Sequence, residues 1–256
     1  MEREQKRRIM SHSTTKERPT KMAIQGKVLK AKPDWHRMIN FYDLLPKEDT
    51  TQYRNRTKHL HGLEHPSMFM FAGPTGAGKT TLLLNILHQM LGAFDELYIF
   101  SLFGKDDPLY KWCQEHFQGE VMVTNNLDDL PEVTTLDPSI QRAFIFDDIM
   151  SCPPKTQKKI EQYFCTVRHK NGSAFYCTQK YHKAPLAIRG QCQYVFLLRN
   201  IHKPDLRSIA AVYGDPQTIE NMYDYCIKKE KPFWINTRKI GAGRFRCGFD
   251  EVLAQP

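Results

Sequence analysis

The sequence contains no apolar run close to the roughly 18–20 residues that a membrane-spanning helix requires. No such span is expected, yet 41% of its 256 residues are hydrophobic, enough for a sizeable core. Its first residues, MEREQKRRIMSHSTTKERPTK, lack the apolar stretch of a secretory signal peptide. Cysteine is present but without pattern. The seven residues Cys113, Cys152, Cys165, Cys177, Cys192, Cys226 and Cys247 are odd in number and include no C-x-x-C pair. A disulfide framework and a zinc site are therefore not expected, and the thiols read as reduced, in an intracellular compartment. Internal repeats and low-complexity tracts are missing too.

Acidic residues are scarce at one end. Of the formal net charge of +9, residues 1–37 contribute +7, from eleven Lys/Arg against four Asp/Glu. An arm of this kind is either drawn to polyanions or is a solvated tail, and both readings stand. The expected organisation is a basic flexible arm over residues 1–36, an irregular or helical lead-in over 37–66, and one folded domain over 67–256.

Against these absences stands FAGPTGAGKTTLL, residues 71–83. Gly73, Gly78, Lys79 and Thr80 satisfy the phosphate-loop pattern Gly-x-x-x-x-Gly-Lys-Ser/Thr (Walker A). Glycine is needed where backbone must wrap phosphate oxygens closely. The cradle is expected to run through Gly73, Pro74, Thr75, Gly76, Ala77, Gly78, Lys79, Thr80 and Thr81. Its N–H groups and the following helix N-terminus present positive charge to the anion. Lys79 is expected to reach the β- and γ-phosphates of ATP, and the Thr80 hydroxyl to ligate Mg²⁺. The context agrees: SMFMF before the loop reads as a buried strand, and TTLLLNILHQML after it has helical spacing.

Further strands are expected in DELYIFS, EVMVT, QRAFIFDDIM, SAFYCTQ, YVFLLRN, PFWINT and RFRCGF. Helices are expected in DPLYKWCQEHF, PKTQKKIEQYFCTVRH, KPDLRSIAAVYG and PQTIENMYDYCIKK. Apolar strands alternating with helices predict an α/β fold with a mainly parallel sheet covered on both faces.

The magnesium needs a second protein ligand. AFIFDDI carries Asp147 to the end of an apolar strand, the position of a Walker B aspartate, with Asp148 placed to orient or deprotonate an attacking water. Many hydrolases place a longer glutamate there, so a bridging water is expected to make up the missing methylene. Gln179 ends SAFYCTQ and reads either as a γ-phosphate sensor between the two Walker elements or as a strand cap. Arg168 is expected near the opposite end of the sheet. A strand of six or seven residues spans roughly 20 Å, so Arg168 would act only on a neighbouring subunit's nucleotide, as an arginine finger. Arg189 follows the Gln179 strand and is expected near the nucleotide edge, on phosphate, on DNA or at an interface. For either arginine a purely structural role is an equal reading.

GPTGAGKT, FIFDDI and above all VRHKNGSAFYCTQKYHKAPLAIRGQCQYVFLLRN resemble the genome-packaging ATPases of poxviruses, other large eukaryotic DNA viruses and virophages. These belong with FtsK and HerA. The resemblance covers about residues 67–200. It implies a RecA-like P-loop core, with Asp147 and Asp148 as the Walker B pair, Gln179 as sensor and Arg168 as the favoured finger. It also implies ATP hydrolysis coupled to translocation of double-stranded DNA, a homo-oligomeric ring, and docking to capsid or portal proteins inside an infected host cell. The alternatives are a helicase of the same class and an ATP-binding virion assembly factor. A nucleotide kinase would need a compact arginine-rich lid, and none is evident.

Overall fold

The computed structural model describes residues 53–254. The expected basic arm, and the lead-in as far as residue 52, lie outside the described residues.

Nine strands form one sheet: β1 (Met68–Ala72), β2 (Glu96–Ser101), β3 (Glu120–Thr124), β4 (Arg142–Asp147), β5 (Gly172–Thr178), β6 (Tyr194–Leu197), β7 (Phe233–Asn236), β8 (Phe245–Cys247) and β9 (Glu251–Leu253). Their spatial order is β3-β2-β4-β5-β1-β6-β7-β8-β9. Neighbours from β3 to β6 pair in parallel, and the last three pairings are antiparallel. The helices are α1 (Lys58–His61), α2 (Lys79–Gln89), α3 (Pro108–His116), α4 (Pro154–Thr166), α5 (Leu186–Gln191), α6 (Lys203–Tyr213) and α7 (Pro216–Lys228).

The period of two along each strand divides the core into two layers. In β1, Phe69 and Phe71 face α2 and α3, where Leu83, Ile86, Leu87 and Tyr110 are buried. Met68, Met70 and Ala72 face the layer built by α4 to α7. Aromatic rings tie the first layer across strands. Phe69 stacks on Phe175 with centroids 4.4 Å apart, Phe71 on Phe196 at 5.1 Å, and Phe196 on Trp234 at 5.2 Å. Every residue of β1, β4, β5 and β6 is buried. This is why these strands read as unbroken apolar runs rather than alternating ones. β3, at the sheet edge, alternates instead, with Val121 and Val123 half-buried and Glu120 and Met122 exposed.

The expected parallel sheet is present as far as β6. Beyond it two helices, α6 and α7, follow in succession, so the chain returns to the sheet edge it left and β7 runs back against β6. Single-helix crossovers give parallel neighbours, and tight connections such as β7–β8 and β8–β9 give antiparallel ones. The outcome is a RecA-like P-loop core: a mostly parallel sheet flanked by helices.

Candidate nucleotide site

β1 ends at Ala72, and Gly73 to Gly78 form the loop that leads into α2. Gly76 (φ +76°) and Gly78 (φ +93°) hold left-handed backbone that a β-carbon would strain. Gly73 is constrained differently: a β-carbon there would lie 3.0 Å from Leu198 Cβ and 3.2 Å from Ala77 Cβ. The loop closes on itself through Ala77 N–H donating to Pro74 O (3.1 Å). It is pinned to β5 by Gly73 N–H donating to Thr178 O (3.1 Å). Thr75 is exposed on the loop, and Thr81 is exposed on the first turn of α2. The Lys79 ammonium is folded into the loop, donating to Gly73 O at 3.0 Å and Pro74 O at 3.2 Å. Neutral carbonyls hold the charge where an incoming phosphate can take it over.

Thr80 Oγ1 donates to Asp147 Oδ2 at 3.3 Å, joining the loop helix to the end of β4. Tyr110, from α3, donates to the same oxygen at 2.7 Å. Burial pushes the Asp147 carboxyl above its ordinary range, opposed by the Tyr110 hydrogen bond and the Lys79 charge. The same burial, and then the Asp147 charge, hold the Tyr110 hydroxyl well above its usual range, so it stays a donor. Cys177 lies beneath the site, and burial drives its thiol far upward, leaving it unreactive.

Asp148, the next residue, is exposed and adopts φ +52°. This unusual backbone turns the second carboxylate away from the buried position of the first and out to solvent. Gln179 follows β5, and its Nε2 donates to Asp148 Oδ1 at 3.4 Å. Because β5 lies between β4 and β1, Gln179 stands between the Asp147–Asp148 tip and the phosphate loop. The paired hard oxygens of Thr80 and Asp147 are the donor type a magnesium ion takes, and their separation suits two ligands of one ion.

The two arginines lie elsewhere. Arg168 is exposed on a 3₁₀ turn (Val167–Lys170) just before β5, at the sheet edge opposite the phosphate loop. With Arg238 and Glu64 it lines a cavity of about 330 Å³. Arg189 sits on α5, in the layer opposite α2. Its Nε donates to Ala184 O at 3.0 Å, and its guanidinium lies 5.3 Å from the centroid of the Tyr181 ring. Its partners belong to its own segment, not to the phosphate loop, because α5 runs back down the sheet from the nucleotide edge.

Two site residues were not singled out from the sequence. Tyr110 looked like one more apolar position of a helix. Arg199, at the end of YVFLLRN, donates from Nη2 to Gly76 O at 3.0 Å. A guanidinium at the tip of an apolar strand was the available signal. Its value depended on β6 pairing with β1, which no local pattern reveals.

No protein-family model matches the chain, and no curated protein matches it. Solved structures do. The DNA-packaging ATPase B204 from Sulfolobus Turreted Icosahedral Virus is 13% identical, with a TM-score of 0.50 over 68% of this chain and 94% of that one. The cytoplasmic domain of the Thermomonospora curvata Type VII secretion ATPase EccC is 12% identical, with a TM-score of 0.49 over 68% of this chain and 24% of that one. The pCW3 conjugation coupling protein TcpA, in a monomer form with ATPgS, is 13% identical, with a TM-score of 0.47 over 68% of this chain and 58% of that one. The likeness to the B204 structure is one of fold, a mostly parallel sheet flanked by helices, over 68% of this chain.

Proposed function

We propose that this chain is an ATPase of the FtsK/HerA superfamily that drives double-stranded DNA into a viral capsid. One observation carries the reading: Lys79, Thr80, Asp147, Asp148 and Gln179 come to one edge of the sheet, with β5 between the two Walker strands. The fold shared with a viral DNA-packaging ATPase supports it.

Lys79 leaves its carbonyl partners for the β- and γ-phosphates as the loop N–H groups close on the anion. Thr80 and Asp147 would hold a magnesium ion, which would supply charge neutralisation at the phosphate oxygens. Asp148 accepts a proton from water, whose oxygen attacks the γ-phosphorus. The bond from that phosphorus to the β–γ bridging oxygen breaks, and ADP leaves with the bond pair. Gln179 aligns the water and reports the loss of the γ-phosphate. Arg168, too remote for its own site, reaches a neighbour's nucleotide in a homo-oligomeric ring. Arg189 supports the segment after Gln179. Capsid or portal proteins and an infected host cell are the setting this reading implies.

DNA contact is sequence-independent and carried by positive charge. The basic N-terminal residues are the principal candidates. Among the C-terminal cations, Lys229, Lys231 and Arg238 are paired with Glu251, Asp250 and Glu64, and Arg246 lies over Trp234. Lys203, Arg207, Lys228 and Lys239 form no ion pair among the described residues.

The test is ATP hydrolysis by the full chain with and without linear duplex DNA, for the unmodified protein and Lys79→Ala. Stimulation by duplex and near-complete loss in the variant are expected. An unchanged rate in Lys79→Ala refutes the site. Strand separation without duplex pumping makes the protein a helicase, and slow turnover with retained ATP makes it an assembly switch.

A further inference from the structure

The cavity of about 330 Å³ at the sheet edge away from the phosphate loop is at the low end of small-molecule sites. Three segments distant in sequence meet there. Asn55 to Pro66 lead into β1, Arg168 stands on the turn before β5, and Arg238 follows β7. β7 runs antiparallel to β6, so its end returns to the edge where β1 and β5 begin.

The lining carries more positive charge than its own acid can balance. Lys58, Arg168 and Arg238 share the cavity with one carboxylate, that of Glu64. Lys58 meets one Glu64 oxygen at 2.8 Å and Arg238 the other at 3.5 Å. Arg168 forms no ion pair among the described residues, yet it is close enough to act on Arg238. Burial, and then the Arg168 charge, pull the Arg238 guanidinium below its ordinary range. Two guanidinium groups held this near repel each other, and an anion between them relieves the repulsion.

The cavity wall also holds an unpaired nitrogen. His65 is 5% exposed, and its Nε2 has no hydrogen-bond partner among the described residues. Its Nδ1 lies 2.8 Å from Ser173 Oγ, which itself accepts the Ser67 N–H at 2.9 Å. Ser173 therefore has its own hydrogen to give to Nδ1, which puts the ring proton of neutral His65 on Nε2. The Asn171 backbone is near enough to favour a charged ring, but not in hydrogen-bonding geometry. Native proteins seldom leave a buried donor unpaired, and a bound ion or water is what ordinarily completes it.

We infer that this cavity is a phosphate site, in which a tetrahedral oxyanion lies between the guanidinium groups of Arg168 and Arg238 and draws the His65 Nε2 hydrogen from the wall. The planar guanidinium presents paired donors that match phosphate oxygens. The length of β1 separates this site from the phosphate loop. It is built within one subunit and needs neither the ATPase reading nor the reach of Arg168 to a neighbour, so Arg238 is the residue to test. A free phosphate ion and the backbone of duplex DNA both present this chemistry.

The full chain carrying Lys79→Ala, which weakens phosphate binding at the loop, is titrated with inorganic phosphate by calorimetry, with and without Arg238→Gln. Binding of phosphate is expected, and Arg238→Gln is expected to weaken it at least about tenfold. Melting temperatures without phosphate show that the variants fold. Arg168→Gln, on an exposed turn, is expected to weaken binding likewise and replaces Arg238→Gln if that variant does not fold. No phosphate binding, or equal affinity with and without these arginines, overturns the inference. Duplex DNA identifies the source of the phosphate. A fall of about one in the slope of log affinity against log salt in Arg238→Gln makes the occupant a backbone phosphate. An unchanged slope alongside weakened phosphate binding makes it a free ion, and the site stands in either case.

Discussion

Tyr110 donates its phenolic hydrogen to Asp147 Oδ2 at 2.7 Å, the same oxygen that receives the Thr80 hydroxyl at 3.3 Å. A helix on one side of the sheet thereby holds the acid at the tip of β4 toward the phosphate-loop helix. Burial works against the ionised carboxyl, and the tyrosine works for it.

Tyr110→Phe is expected to destabilise the protein by about 1–3 kcal/mol at neutral pH, because a buried carboxylate loses a donor. The sign across pH follows from Asp147. Its folded-state pKa lies above the ordinary value, so what it contributes is present at low pH and lost as pH rises through that folded value. Removing Tyr110 raises the folded value further, so the deficit widens toward neutral pH and narrows near pH 4. Urea unfolding as a function of pH measures this. A deficit independent of pH would contradict the assigned role, as would an acid limb of ATP hydrolysis that fails to move upward.

Asp148→Asn preserves a residue type tolerant of φ +52° while removing the proposed base. Turnover is expected to fall by about 10²–10⁴-fold, with ATP affinity changed little. Equilibrium binding alongside steady-state hydrolysis checks this, and a parallel fall in affinity would assign Asp148 to binding instead.

Arg168 is at the edge of the sheet opposite Lys79, so if it is the proposed trans finger a defect there is repairable from another subunit. Arg168→Ala is expected to lose about 10³-fold in turnover, and mixing it with Lys79→Ala to restore activity above either variant alone. In the mixed assembly an intact phosphate loop meets an intact arginine from its neighbour. No recovery in mixed assemblies would remove Arg168 from catalysis in trans.

Gly119 marks a close approach between two segments of the chain: a β-carbon there would lie 2.1 Å from Asp95 O. The Glu120 N–H donates to that same carbonyl at 3.0 Å as β3 begins. Gly119→Ala is expected to cost about 1–3 kcal/mol, the edge strand having to shift. An unchanged denaturation midpoint would show that β3 does not sit this close.

His65 is buried, with Ser173 Oγ 2.8 Å from its Nδ1 and edge-on packing against Phe94. Burial lowers its pKa to about 4, with the Arg54 charge assisting and Asp95 and the Asn171 backbone opposing. The unfolded chain takes up this proton near pH 6.5. Stability from neutral His65 is therefore complete above that pH and is lost as pH falls toward 4, by on the order of 3 kcal/mol. His65→Phe should flatten the melting temperature across that window. An equally steep dependence in the variant would place the effect elsewhere.

The phosphate loop and the Asp147–Asp148 tip were legible because their chemistry is local. Gly76 and Gly78 occupy backbone that few other residues tolerate, and four apolar residues before Asp147 announce a buried strand. Other elements were less visible. α5 was hidden in PLAIRGQ, where a proline precedes a single short helix and a glycine interrupts its last turn, so Arg189 was expected nearer the phosphates than its helix carries it. β9, three residues long, is below the length at which alternation can be read.

By itself the sequence determined the identity of the loop, the acidic strand tip and the alternation of strands with helices, since each depends on residues adjacent in the chain. Only the tertiary structure decided that β5 lies between β4 and β1, that Tyr110 reaches Asp147, and that Arg199 borders the loop. Strands buried on both faces are alike as apolar runs, and their order is chosen by packing and hydrogen-bond pairing between distant segments. That choice leaves no periodic mark along the chain.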